Sequence, residues 1–173
     1  MDNAPMRKPN RLKDYDYSLG GAYFVTICTE DRKQLFGTIR RGELCSPIPY
    51  LQPSPIGKIV NTEIARLSQI YDAVYVDCYV VMPNHVHMVV VIRNENGRAQ
   101  LAPTISRVVQ QWKGSITKQA GRSIWQKSFH DHIIRNEADY LRIREYIENN
   151  PYKWEDDKYF VGASCARPLS GKE

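Results

Sequence analysis

The stretch that most constrains this chain runs from Val80 to Ile92: Val-Val-Met-Pro-Asn-His-Val-His-Met-Val-Val-Val-Ile. Two runs of strand formers are divided by a single Pro-Asn step, and proline presets a turn that asparagine tolerates, so the segment reads as strand, tight turn, strand. Side chains alternate faces along a strand, which sends His85 and His87 the same way from the mouth of the hairpin. Neutral imidazoles converging on one point form a natural site for a divalent cation. They can equally be satisfied by backbone carbonyls, and the spacing alone does not choose.

Around this hairpin the hydrophobic period changes in a definite order. Ala22 to Thr29, after Gly20-Gly21, reads as a nearly continuous apolar strand in a central position. A short strand at 35–40 and a Pro-rich connection at 46–55 that cannot be helix follow. From Pro55, residues Ile56, Ile59, Val60, Ile64, Leu67 and Ile70 share a helical face, with Lys58, Glu63 and Arg66 pointing elsewhere. Val74 to Met82 and His85 to Ile92 form the hairpin. Thr104 is placed to cap a second helix ending near Gly121, Phe129 to Ile134 reads as a last strand, and Asn136 opens a helix that Pro151 stops. The order β, α, β, β, α, β, with an added α, predicts an α+β fold of the ferredoxin-like, split βαβ kind: an antiparallel sheet with helices on one face plus a C-terminal helix.

The 173 residues suit one domain spanning 1–173, with a basic arm at 1–19 and a tail at 155–173. Lys and Arg number 24 against 19 Asp and Glu, and the net charge of +5 favours polyanionic partners. Arg7, Lys8, Arg11 and Lys13 precede Tyr15 and Tyr17, a mixture able to track phosphates and stack on unpaired bases, and equally that of a solvated terminus. Cys28, Cys45, Cys78 and Cys165 form no C-x-x-C pair and read as reduced thiols. No signal peptide or membrane-spanning run is evident, so the expectation is a soluble, cytoplasmic, nucleoid-associated protein with no membrane partner.

The last helix offers the hairpin a partner. Tyr146 and Asn150 are four residues apart and project together, with Arg142 one turn earlier, which sets a nucleophile, an oxygen ligand and a cation in one stripe. The same three residues also fit an amphipathic core position, a helix cap and a solvated charge. A second H-x-H pair, His130-Asp131-His132, competes with the first, although packing or phosphate contact suits His132 better than ligation.

Together, Tyr79-Val80-Val81-Met82-Pro83-Asn84-His85-Val86-His87, His132-Ile133-Ile134-Arg135-Asn136-Glu137 and Tyr146-Ile147-Glu148-Asn149-Asn150-Pro151 resemble the signature of REP-associated tyrosine transposases, members of the single-tyrosine HUH superfamily. Arg11 to Ser18, Tyr23 to Thr29 and Trp125-Gln126 extend the resemblance over about residues 10 to 160. The resemblance implies that His85, His87 and Asn150 ligate Mg²⁺ or Mn²⁺ and that Tyr146 attacks single-stranded DNA, leaving a 5′-phosphotyrosine and a free 3′-hydroxyl. It implies a metal-dependent endonuclease and strand transferase acting on hairpins of repetitive extragenic palindromes (REP). Arg11, Tyr15, Tyr17, Lys113, Lys118, His132, Arg135 and Arg142 are the expected DNA contacts, Trp125 is expected to be structural, and Arg142 is expected to favour the phenolate. The protein is expected to act as a monomer or homodimer. The competing readings are a non-catalytic DNA or RNA hairpin-binding regulator, since similar sheets bind RNA, and a phosphodiesterase using water.

Overall fold

The computed structural model describes residues 20–40, 48–93 and 103–160. Arg11, Tyr15, Tyr17, Cys45 and Cys165 lie outside these.

The strands are β1 (Gly21–Cys28), β2 (Gly37–Arg40), β3 (Tyr50–Pro53), β4 (Val74–Met82), β5 (His85–Ile92) and β6 (His130–Ile134). The helices are α1 (Pro55–Ile70), α2 (Ile105–Ala120) and α3 (Glu137–Asn149), followed by a 3-10 turn at Trp154–Asp156. A four-stranded sheet has the order β4-β5-β1-β6, antiparallel throughout, which is the split βαβ arrangement expected of this element order. Helix starts follow the local chemistry: Ser54, Thr104 and Asn136 each accept from a backbone N–H three residues on, and α2 ends at Gly121 in the left-handed conformation.

α1 and α2 cover one face of the sheet, packing Val60, Ile64, Leu67, Val108, Trp112 and Ile116 against Tyr23, Val25, Ile27, Val86, Met88 and Val90. α3 takes the other face, where Ile143 and Ile147 pack with Val89, Phe24, Val80 and Val91. Both faces of β5 are therefore buried, which is why its sequence is apolar without alternation. A one-residue bulge at Asp77, between the pairs Val76–Val90 and Cys78–Val89, flips β4 so that Val76 serves the first face while Cys78 and Val80 serve the second.

Three details correct the sequence reading. The Pro-rich connection contains β3, which pairs with β2 in a separate two-stranded ribbon. Glu63 points inward and is buried, because Ser115, Gln119 and Arg66 satisfy its carboxylate. Ile70, expected on the apolar face, is 53 % exposed in the last turn of α1. Trp125 is buried against Trp112 and Phe36, as a structural tryptophan should be.

Candidate active site

The turn at Pro83-Asn84 delivers His85 and His87 onto the α3 face of the sheet, fully buried, with ring centroids 4.5 Å apart. Asn84 makes this turn do more than reverse the chain. Its Nδ2 donates to the carbonyls of Arg32 (3.0 Å) and Tyr159 (2.8 Å), which can only accept, so the amide orientation is fixed. Its Oδ1 then faces His85 Nδ1 at 2.8 Å, and an amide oxygen can only accept. His85 must carry its proton on Nδ1, leaving an Nε2 lone pair that is buried and has no hydrogen-bond partner. The His87 ring is also held at Nδ1, which lies 2.8 Å from the hydroxyl of Thr26, its partner across the β1–β5 ladder.

Burial lowers the pKa of both rings, that of His85 to about 4 even though Asp157 and Asn150 favour its charged form, and that of His87 well below the ordinary value. Both are neutral at neutral pH and keep their lone pairs. Phe24 stacks on His87 with centroids 5.3 Å apart.

α3 brings the second half. Ile143 and Ile147 anchor the helix on the sheet, which turns Tyr146 and Asn150 toward the histidines. The Tyr146 hydroxyl lies 3.3 Å from His87 Nε2. Asn150, the C-cap residue and only 3 % exposed, donates through Nδ2 to Asp157 at 3.1 Å, while its buried Oδ1 has no partner. The i, i+4 stripe is thus real, and capping position and site residue coincide in Asn150.

Two buried acceptor atoms, His85 Nε2 and Asn150 Oδ1, are therefore left without a proton donor, and Asn150 is close enough to His85 to act on its charge. Buried polar atoms are rarely left unpaired, and a cation satisfies both at once. The donor set of two imidazole nitrogens and an amide oxygen fits a divalent metal, and this part of the resemblance agrees with the chemistry of the residues present.

Sequence reasoning missed part of the surroundings. Asp157 is the largest omission: one of its carboxylate oxygens and one nitrogen from each of His85 and His87 all lie within 4.8 Å of one another. The stretch 151–160 folds back over the histidines, with the Tyr159 ring 4.7 Å and the Trp154 ring 6.0 Å from that of His85. A polar Thr26 inside an apolar strand was a signal available in the sequence. Asp157, in a tail with no legible motif, offered none.

Tyr146 is 40 % exposed between two cavities. One, of about 540 Å³, is lined by Arg142, Asn149, Asn150, Lys153, Asp157 and Lys158; the other, of about 380 Å³, by Phe24, His132, Arg142, Ile143 and Tyr146 itself. Burial and the Asp157 charge raise the phenol pKa, and Lys158 opposes them.

An uncharacterized protein of Haemophilus influenzae is 32 % identical over 175 residues, covering 90 % of this chain and 93 % of its own. A second protein of that organism, provisionally named a REP-associated tyrosine transposase, is 24 % identical over 147 residues, covering 80 % of this chain and 74 % of its own. The structure of a REP-associated tyrosine transposase bound to a REP hairpin superposes with a TM-score of 0.62 at 23 % identity, covering 86 % of this chain and 76 % of that one. The chain is thus similar in sequence to the provisionally named relative and in fold to the hairpin-bound transposase. Its antiparallel α+β fold is the one that this solved structure has. No family model matches the chain.

The remaining expected site residues are dispersed. Arg142 is turned onto Asp139 at 2.6 Å, and the same carboxylate accepts from His132 at 2.7 Å, so the cation acting on the Tyr146 phenol is Lys158. Lys113 donates to the Gln126 carbonyl at 2.6 Å from α2, on the opposite face of the sheet, and Lys118 lies exposed on the same helix. Arg135 is exposed just past β6. Among the described residues no helix is long and apolar enough to cross a membrane.

Proposed function

We propose that this protein is a REP-associated tyrosine transposase, a divalent-metal-dependent endonuclease and strand transferase that cuts single-stranded DNA beside REP-type hairpins through Tyr146. The observation that carries the reading is the convergence of two orphaned acceptors, His85 Nε2 and Asn150 Oδ1, within reach of an exposed tyrosine hydroxyl. The hairpin bound by the structural relative supports the substrate class.

His85, His87 and Asn150 would hold Mg²⁺ or Mn²⁺, which supplies Lewis-acid polarisation of a non-bridging oxygen on the scissile phosphate. Tyr146 Oη attacks the phosphorus, the bond from phosphorus to the 3′ oxygen breaks, and the fragment on the 3′ side of the cut stays on Tyr146 through its 5′ phosphate as a phosphodiester. The phenol proton leaves to solvent and the departing 3′ oxygen takes one up. Attack by the 3′-hydroxyl of a second end reverses the step and rejoins DNA. Lys158 favours the phenolate during attack, while Asn84 keeps the His85 proton on Nδ1 and Thr26 orients the His87 ring.

The strand crosses Tyr146 from one cavity to the other. Lys153 and Lys158 face its phosphates on one side, His132 and Arg142 on the other, and Phe24 offers an apolar wall for a base. Arg11, Tyr15, Tyr17, Lys113, Lys118 and Arg135 are assigned the outer contacts to the hairpin. Incubation with Mn²⁺ and a labelled hairpin drawn from palindromes near the gene, followed by a denaturing gel, tests the reading. A labelled protein adduct, absent in Tyr146→Phe, is expected. Cleavage that survives Tyr146→Phe would instead mean that water is the nucleophile.

A further inference from the structure

We infer that Asp157 is the anionic ligand of the cation held by His85, His87 and Asn150, so that the stretch after α3 completes the metal centre. This rests on the metal-dependent reading above and adds a residue to it. The sequence resemblance supplies only neutral donors: two imidazoles and one amide. A divalent ion so held would sit in a buried pocket with its charge uncompensated, and burying charge without a counter-charge is costly. Hard cations such as Mg²⁺ and Mn²⁺ also draw on carboxylate oxygens.

Asp157 is positioned for that role. Its reach to both histidines is within 4.8 Å, so a contraction of an ångström or so closes the set. Oδ1 accepts from the Tyr159 backbone N–H at 2.7 Å and Oδ2 from Asn150 Nδ2 at 3.1 Å. Each carboxylate oxygen keeps a second acceptor site, so ligation does not require those bonds to break.

The backbone around it is tied to the histidine turn. Asn84, the residue that sets the His85 tautomer, also donates to the Tyr159 carbonyl, and Arg32 donates to the Lys158 carbonyl at 2.9 Å. Trp154 and Tyr159 are both buried against His85. One short stretch therefore carries the carboxylate, closes over the imidazoles and is held by the turn that bears them.

The test is Mn²⁺ binding to the full chain, followed by electron paramagnetic resonance of the free ion and without DNA. Asp157→Asn removes the charge but keeps a carbonyl for one of the two hydrogen bonds, and it is expected to weaken Mn²⁺ binding about a hundredfold with its melting curve intact. Affinity within about twofold of wild type, while His85→Gln loses binding, overturns the inference and leaves the metal reading standing. If the wild-type chain shows no His85-dependent Mn²⁺ binding, the metal reading itself falls, and this inference with it. Should Asp157→Asn fail to fold, the wild-type chain labelled with ¹³C-carboxyl aspartate decides. A ¹³C hyperfine coupling to bound Mn²⁺ is expected, and its absence overturns the proposal.

Discussion

The two H-x-H pairs of this chain share a spacing, a sheet and a face, yet only one is buried beneath a helix. His85 and His87 lie on β5, an interior strand, where both rings are buried, Asn84 and Thr26 hold the Nδ1 atoms, and α3 closes above them. His130 and His132 lie on β6, the edge strand next to β1, where both are exposed and His132 spends its Nε2 on Asp139. The difference teaches that the spacing sets only a shared direction. Whether a lone pair is left for a metal depends on what else can reach each nitrogen.

The largest effect should come from the imidazoles themselves. His85→Gln or His87→Gln is expected to abolish the tyrosine adduct and to lower Mn²⁺ affinity by more than about a hundredfold. His130→Gln and His132→Gln should leave that affinity within about twofold, and a hundredfold loss from the latter pair would reverse the assignment. Equilibrium titration with Mn²⁺ alongside the adduct gel reads both.

The orienting groups come next. Asn84→Ala frees the His85 tautomer and should weaken the metal roughly ten- to a hundredfold. The corresponding removal at the other pair, Asp139→Ala, should leave metal binding alone and weaken hairpin binding a few-fold, measured by gel shift. Thr26→Val leaves His87 Nδ1 without its hydroxyl partner in the interior, with an expected loss of about 1–3 kcal/mol in urea unfolding.

The smallest effect is a control on the opposite face. Glu63 is buried, and burial would raise its pKa, but hydrogen bonds from Ser115, Gln119 and Arg66 outweigh this and hold it below the ordinary value of 4.5. Its stabilisation is therefore present above that value and lost as pH falls through the folded-state pKa. Glu63→Gln should cost about 1 kcal/mol at pH 7 and flatten the fall in stability between roughly pH 5 and 3. Metal affinity should not move. A coupled loss would mean that the two faces do not behave independently.

Much of this was legible in the amino-acid order. Strand and helix periods, the Ser54, Thr104 and Asn136 caps, the shared direction of His85 and His87, and the Tyr146–Asn150 stripe are properties of neighbours in the chain, and local geometry carries them. Glu63 and β3 were misjudged because a charge is assumed to face water and a proline to break structure unless distant partners say otherwise. Ser115 and Gln119 are such partners for Glu63, and the β2 strand for β3.

What only the tertiary structure decided is which face α3 covers, which histidine pair keeps its lone pairs, and that Asp157 stands beside them. The reason is physical. Periodicity acts over a turn of helix or two residues of strand, whereas burial, tautomer and ligand sets are fixed by contacts across the fold. Asn84 reaching the Tyr159 carbonyl, 75 residues along the chain, is one such contact, and no local pattern records it.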